Sequence, residues 1–174
     1  MKIFKNKKSG FSIGEVILAV FILGVTLTTI MSLYITGLKE LMDERDNVIA
    51  SLLAQEGVEL VRNIRDNNWV NDNDSFEDVD ENTGCAMDMN SNSCDSTNFS
   101  LNYNGAYYVV GSGSKFSRKI IIEDPGSDPE ERTVLCLVSW NSSTPLDEKD
   151  KCTASGKCVF SEASLSEWGN PDLP

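Results

Sequence analysis

A carboxylate near the start of a membrane-length apolar run is the most demanding chemical feature of this chain. From Phe11 to Leu38, Glu15 is the only charged side chain. A bilayer core takes ~20 apolar residues as a helix, and an acidic group facing lipid costs about a few kcal/mol. At that depth a carboxylate is tolerable only neutral, hydrated or paired with a cation. Ahead of it, Lys2, Lys5, Lys7 and Lys8 form a basic head closed by Ser9 and Gly10. Basic residues before the span place its N-terminus in the cytoplasm and export the remainder of the chain. A secretory signal would carry a shorter apolar core and a small-residue cleavage site after it. No such site ends this span, where Tyr34, Thr36 and Gly37 lead directly into KELMDERDNVIASLLAQEGVELVRNIRDNNW.

Other chemistry is sparse. There is no histidine, which excludes His-based triads and His-ligated metals. No nucleophile elbow, P-loop or dinucleotide fingerprint is present, so nothing points to an enzyme or a cofactor. The net charge is −12, and removal of the four leader lysines would leave 11 basic and 27 acidic residues, or −16. That balance speaks against a nucleic-acid surface, which would be basic. Five cysteines suit an exported domain. Cys85 and Cys94 bracket a polar loop, and Cys152 and Cys158 a short one. Four cysteines allow three connectivities. Neighbour pairing closes one local loop in each case and is the expected arrangement, with Cys136 a small buried residue in a sheet. A zinc site is the rival, though neither pair has the usual ligand spacing. Asp72, Asp74, Glu77, Asp78 and Asp80, or the alternating Asp88, Asn90 and Asn92, are the candidates for calcium. An EF-hand loop counted from Asp88 would need Gly and Glu where Ser93 and Phe99 stand. A solvated acidic loop is therefore expected.

These groups would sit on one long helix, a polar loop and a small sheet. The helix is predicted from about Phe11 to Arg65, on the order of 80 Å long. Its second half carries a stripe of Leu38, Leu41, Met42, Val48, Ile49, Leu52, Leu53, Leu60, Val61 and Ile64 at three- and four-residue intervals, one face for a sheet to cover. Residues 66–98 are dense in Asp, Asn and Ser and read as loop. FSLNYNGAYYVVG holds an Asn104-Gly105 hairpin signal. FSRKIIIED and TVLCLVSW are strands. The latter puts Val134, Cys136, Val138 and Trp140 on one face and Leu135, Leu137 and Ser139 on the other. SEASLSEWGN reads as a closing turn or short helix. About four antiparallel strands lying on the amphipathic half of the helix make an α+β fold.

Lys7-Lys8-Ser9-Gly10 followed by Phe11-Ser12-Ile13-Gly14-Glu15-Val16-Ile17-Leu18-Ala19 resembles the processing signal of type IV prepilins and type II secretion pseudopilins. The resemblance implies cleavage after Gly10 by a membrane-embedded prepilin peptidase, N-methylation of Phe11, and a role for Glu15, the fifth mature residue, in assembly. Gly10 would enter the peptidase groove extended and without a side chain. The new Phe11 amine of one subunit would then pair with the Glu15 of a neighbour, a pair whose disruption costs ~3–5 kcal/mol where the dielectric is low. The chain departs from many major pilins in having Gly14 before the Glu and no proline before Pro125. Gly14, Gly24 and Gly37 could loosen the helix or pack closely between helices. The strand pair from FSRKIIIED to RTVLCLVSW also resembles the sheet hairpin of minor pilins.

The organisation implied is a leader (residues 1–10), a transmembrane and assembly segment (11–38) and an exported pilin-like domain (39–174). That domain comprises an amphipathic helix (39–65), a polar loop (66–98) and a sheet region (99–174). The implied function is that of a structural subunit, minor rather than major, of a type IV pilus or pseudopilus-like filament. It would be made as a single-pass precursor in a bacterial inner membrane, with other pilin subunits and the inner-membrane assembly machinery as partners. The alternatives are a membrane-anchored binding module that never polymerises and a calcium-dependent adhesin.

Overall fold

The computed structural model describes residues 10–71, 73–76, 79, 84–91, 93–94, 97–113, 115–124, 131–140 and 148–166. The leader residues 1–9, with Asp72, Glu77, Asp78, Asp80, Asn92 and residues 125–130, lie outside them. The chain divides into two compact units, Met1–Glu44 and Arg45–Pro174.

Helix α1 runs from Ile13 to Val70 through both units. It starts two residues later than the sequence suggests and continues five residues past Arg65. From Gly10 to Glu44 every residue is uncovered apart from the half-buried Gly37. An 18-residue window of mean hydropathy 2.5, none of it buried within the chain, makes α1 long and apolar enough to cross a membrane. This is a uniformly apolar surface, as lipid requires and a core-facing amphipathic helix does not have.

The second unit is an antiparallel sheet with the Arg45–Val70 half of α1 on one face. Strands β1 (Ser100–Tyr103), β2 (Tyr108–Val110), β3 (Phe116–Glu123), β4 (Glu131–Ser139) and β5 (Cys158–Ser166) lie in the order β2-β1-β3-β4-β5. The sheet has five strands where four are expected from sequence. The addition is β5, which the sequence suggests as a turn or short helix. It pairs with β4 along its whole length, from Ser139 opposite Cys158 to Glu131 opposite Ser166. Serine and glutamate obscure its period. Val159, Ala163 and the buried Leu165 nevertheless alternate with the exposed Glu162, Ser164 and Ser166, which is a half-buried strand. A short helix α2 (Lys149–Ser155), absent from the sequence reading, precedes it and ends on Gly156 in the left-handed conformation at φ 65°.

The face assignment of β4 holds. Val134, Cys136, Val138 and Trp140 pack in the main core with Ala50, Leu53, Ala54, Val58, Val61 and Ile64 of α1. Leu135 and Leu137 pack on the opposite face with Ile121, Phe160 and the Cys152 and Cys158 side chains. The Asn104-Gly105 hairpin is also present, with Gly105 at φ 103° and the Asn104 carboxamide oxygen accepting the Ala106 and Tyr107 N–H groups, each at 3.0 Å.

The helix stripe is only partly the one the large side chains suggest: Leu53, Val61 and Ile64 are buried, with Ile49 and Leu60 packed against the core. Leu38, Leu41, Met42, Val48 and Leu52 are all exposed, Leu41 at 68%. The buried face is Asp46, Ala50, Leu53, Ala54, Gly57, Val58, Val61, Ile64, Arg65 and Asn68. Small residues let the helix backbone come close to the sheet. A Cβ built on Gly57 would lie 2.3 Å from Cys136 Sγ and 3.2 Å from Arg118 Cδ. Contact of that kind is invisible to a count of bulky apolar residues.

Candidate functional site

The segment Gly10–Glu15 is the first candidate. Gly10 and Phe11 precede the helix, and Phe11 is 82% exposed. The Ser12 carbonyl accepts the first helical bonds, from Glu15 N at 3.0 Å and Val16 N at 3.3 Å. Ser12 is thus the N-cap and Glu15 the third helical residue, the spacing at which Ser and Glu can exchange side-chain bonds with each other's backbone. Neither side chain makes that exchange. Glu15 is exposed in the first turn, beside the unsatisfied N–H groups of a helix start, where a negative charge is favoured. It meets no cation and no side-chain donor among the described residues. Around it Ile13, Val16, Ile17 and Leu18 are exposed as well. The arrangement is a carboxylate held at a fixed place on an apolar rod, five residues behind Gly10. Gly14 and Gly24 likewise stand open. A Cβ on Gly24 would meet nothing within 4 Å, and one on Gly14 only the Ser12 hydroxyl at 3.9 Å.

The folded unit holds a different set of charges. The period-two pattern of β3 turns Arg118 inward with Ile120 and Ile122, and its side chain is 0% exposed. Its guanidinium Nη1 donates to the Leu53 carbonyl at 3.1 Å and lies 3.3 Å from Glu56 Oε1, while Nη2 donates to the Met87 carbonyl at 2.7 Å. One cation therefore ties the helix, the sheet and the loop before β1. Asp88 does the same for the sheet edge. Its carboxylate accepts the backbone N–H of Val110 and of Asn90, both at 2.8 Å, and the Ser91 hydroxyl at 3.2 Å. Burial opposes its charge, but these bonds and the Arg118 cation outweigh it and hold the carboxyl below its ordinary value. The buried Asp46 pairs with Lys115. Arg65 bonds Asp66 and donates to the Ser166 carbonyl at 3.0 Å, pinning the end of β5.

Asp88 is thus a buried structural anchor and not part of a solvated loop. Asp74 accepts the Phe76 N–H at 3.1 Å and so closes its own turn. No group of three or more metal-ligating side chains gathers among the described residues. The structure joins Cys85 to Cys94 and Cys152 to Cys158, with Cα separations of 5.4 and 5.1 Å. Cys136 is free and buried. Burial is the main reason its thiol is pushed up to about 12, with Arg118 pulling down and Glu56 pushing up. The sequence reading missed Arg118, Glu56 and the burial of Asp46, and it placed Asp88 among calcium candidates in a solvated loop. For Arg118 a signal existed, since a cation on the inward register of FSRKIIIED must find acceptors. For Asp88 the bonds from Asn90 and Ser91 are local, but the Val110 and Arg118 partners that make it an anchor lie far along the chain.

Comparison of the chain with protein-family models, with curated proteins and with solved structures returns no match.

Proposed function

We propose that this chain is a structural subunit, minor rather than major, of a type IV pilus or pseudopilus-like filament. The single observation that carries the reading is Glu15. It is a carboxylate in the first turn of an uncovered apolar helix, directly behind Gly10 and Phe11, with no partner in its own chain among the described residues. Cleavage of the Gly10–Phe11 bond by prepilin peptidase removes the lysine head and creates a cationic α-amine, which is then methylated. The apolar span stays in the product. Each subunit thereby carries one cation at Phe11 and one anion at Glu15. An incoming subunit satisfies the anion of a resident one when their helices meet in a single register. The pair is worth most where water is excluded. The two disulfides fit a domain exposed to an oxidising compartment. The precursor sits in a bacterial inner membrane, and the assembled product is a cell-surface or periplasmic filament.

Intact-mass analysis of membrane-extracted protein, with and without the matching peptidase, is the test. The expected product begins at N-methylated Phe11. A product that keeps residues 1–10, or one cut beyond Leu38, overturns the reading and leaves an anchored binding module.

A further inference from the structure

Two interactions fix the direction of β3 along the covered part of α1. Lys115, just before the strand, pairs with Asp46, and Arg118 donates to the Leu53 carbonyl at 3.1 Å. Strand β3 therefore starts at the Arg45 end of the folded unit and runs away from it. Strand β1 is antiparallel to β3, with Ser100 opposite Ser117 and Leu101 opposite Phe116, so it runs back toward that end. Its pairing with β3 stops there, and Asn102 and Tyr103 continue paired with β2 alone. In the same register Asn102 would stand opposite Lys115, which puts Gly105 about three residues, or ~10 Å, beyond the Asp46–Lys115 pair. Tyr108, at the base of the turn, lies in the field of both Arg45 and Asp46. The hairpin thus projects from the end at which the chain enters the unit.

That end is the one tethered to the apolar span. The uncharged run closes at Leu38 and the folded unit begins at Arg45. Residues 39–44, which join them, cover about 9 Å as helix. The polar layer of a bilayer adds about 5–8 Å on each side of its hydrocarbon core. The tip also has the chemistry of that layer. No charged side chain occurs from Ser96 to Ser114, in a chain of which 24% is charged. Tyr103 is 55% exposed, Met89 in the segment beside β2 is 63% exposed, and Ala106 is exposed at the turn. Tyrosine, apolar in its ring and polar at its hydroxyl, is enriched where membrane meets water. The polar groups of the tip are already bonded within the chain. Asn104 Oδ1 accepts the Ala106 and Tyr107 N–H groups at 3.0 Å each, and the Tyr103 hydroxyl donates to the Gly105 carbonyl at 2.8 Å. Groups satisfied in this way lose little when water withdraws.

We infer that the β1–β2 hairpin tip, through Met89, Tyr103 and Ala106, rests on the headgroup layer of the bilayer that α1 enters. Internal satisfaction of its polar groups disfavours any ligand that must be read by hydrogen bonds. A lipid surface asks only for amphipathic area and the absence of repelling charge. The tether decides between lipid and a soluble protein partner. A surface joined to the unit through residues 39–44 is present at high effective concentration, so a contact as small as this tip suffices. A free partner would have to supply the whole cost of association. The inference rests on the membrane span of α1 and not on the filament reading.

The test uses the full chain in phosphatidylcholine nanodiscs that carry a lipid spin-labelled at its headgroup. Co-migration of the chain with the discs reports insertion of α1 separately, so loss of the span is not confused with loss of the contact. We expect the backbone amide signals of Met89 and of Tyr103–Tyr107 to broaden severalfold more than those of α2 and β5. Ala106→Glu adds a charge at an exposed position without removing packing, and it should reduce that broadening severalfold. Tyr103→Ser should reduce it as well, while Lys151→Glu on α2 should leave it unchanged. The Ala106 variant keeps the test decisive if the tyrosine variant misfolds. Tip signals broadened no more than those of α2 and β5 would overturn the inference. So would broadening indifferent to both hairpin variants, which would mean nearness through the tether without contact. Tip signals that shift with chain concentration instead would assign the surface to a second copy, and a shift on adding soluble dextran would assign it to a glycan; either would overturn the lipid contact.

Discussion

Glu15 and Asp88 are both carboxylates in surroundings that disfavour charge, and the chain treats them in opposite ways. Asp88 is surrounded by its own chain, with two backbone N–H groups, a hydroxyl and the field of Arg118. Glu15 stands on an apolar helix surface with no such partners among the described residues. The same contrast runs through the two parts of α1 that belong to the two units. From Val16 to Leu38 the helix carries no charged side chain and keeps large apolar ones exposed. From Arg45 onward it turns small residues, Ala50, Ala54 and Gly57, toward the sheet and leaves Val48 and Leu52 outside. One part is left uncovered by this chain, and the other is covered by its own sheet. An acidic group with its partners at hand contributes to a fold. One without them has to be explained by what comes later.

The largest effect is expected from removing the group without partners. Glu15→Ala makes the span more apolar, so insertion, cleavage after Gly10 and folding of the second unit should all persist. Entry into a filament should fail, because the charge that selects the register is gone. The ratio of sheared-filament to membrane-retained protein, for wild type, Glu15→Ala and Glu15→Gln, measures this. Full incorporation of both variants would sink the pairing mechanism. Incorporation of the Gln variant alone would mean that hydrogen bonding suffices.

A second substitution sharpens the contrast between the two parts of the helix. Gly57→Ala drives a Cβ into Cys136 Sγ, with the Arg118 side chain next to it. Overpacking of this kind costs ~1–3 kcal/mol, to be read as a lowered denaturation midpoint of the second unit. Cys136→Ala removes the obstructing sulfur, so the double variant should recover part of the loss. Gly24→Ala meets no atom within 4 Å. It should leave that midpoint unchanged, since alanine only improves helix propensity, by about 1 kcal/mol. Equal costs at the two positions would refute the close approach of helix and sheet.

These two glycines also mark what could be read from sequence. The apolar span, the Asn104-Gly105 turn, the faces of β4 and the neighbour pairing of cysteines were legible because each depends on local spacing or period. The covered face of α1 was legible only at Leu53, Val61 and Ile64, because the eye follows large side chains and the sheet also selects for closeness at Ala50, Ala54 and Gly57. Strand β5 was hidden by Glu162, Ser164 and Ser166, polar because one side of an edge strand faces water, and by Ser161 on its inner side. Position Glu15 stood out from its sequence context alone, since a charge among apolar neighbours needs no fold to be noticed. Asp88 was noticed only as a calcium candidate among many acidic residues, and the return of the chain at Val110 and Arg118 is what makes it an anchor.

Asp88 supplies the smallest effect and the pH dependence. Its carboxyl is held below the ordinary 3.8 in the folded chain, since the Val110, Asn90 and Ser91 bonds and Arg118 together outweigh burial. A depressed folded-state value means that the unfolded chain takes up the proton first as pH falls. The contribution to stability is therefore complete well above pH 3.8 and is lost as pH drops through the folded value below it. Asp88→Asn retains an acceptor oxygen but loses the charge, and it should lower stability at neutral pH by about 1 kcal/mol. It should also flatten the acid limb of the stability curve, because the variant has no proton to take up at this position. Denaturant midpoints of both proteins across the acid range would measure the difference. The gap between the two curves should narrow toward low pH, where wild-type Asp88 has itself become neutral. A gap that stays constant, or widens, with acid would mean that Asp88 acts through its shape and not its charge, and the contrast with Glu15 would then lose its electrostatic basis.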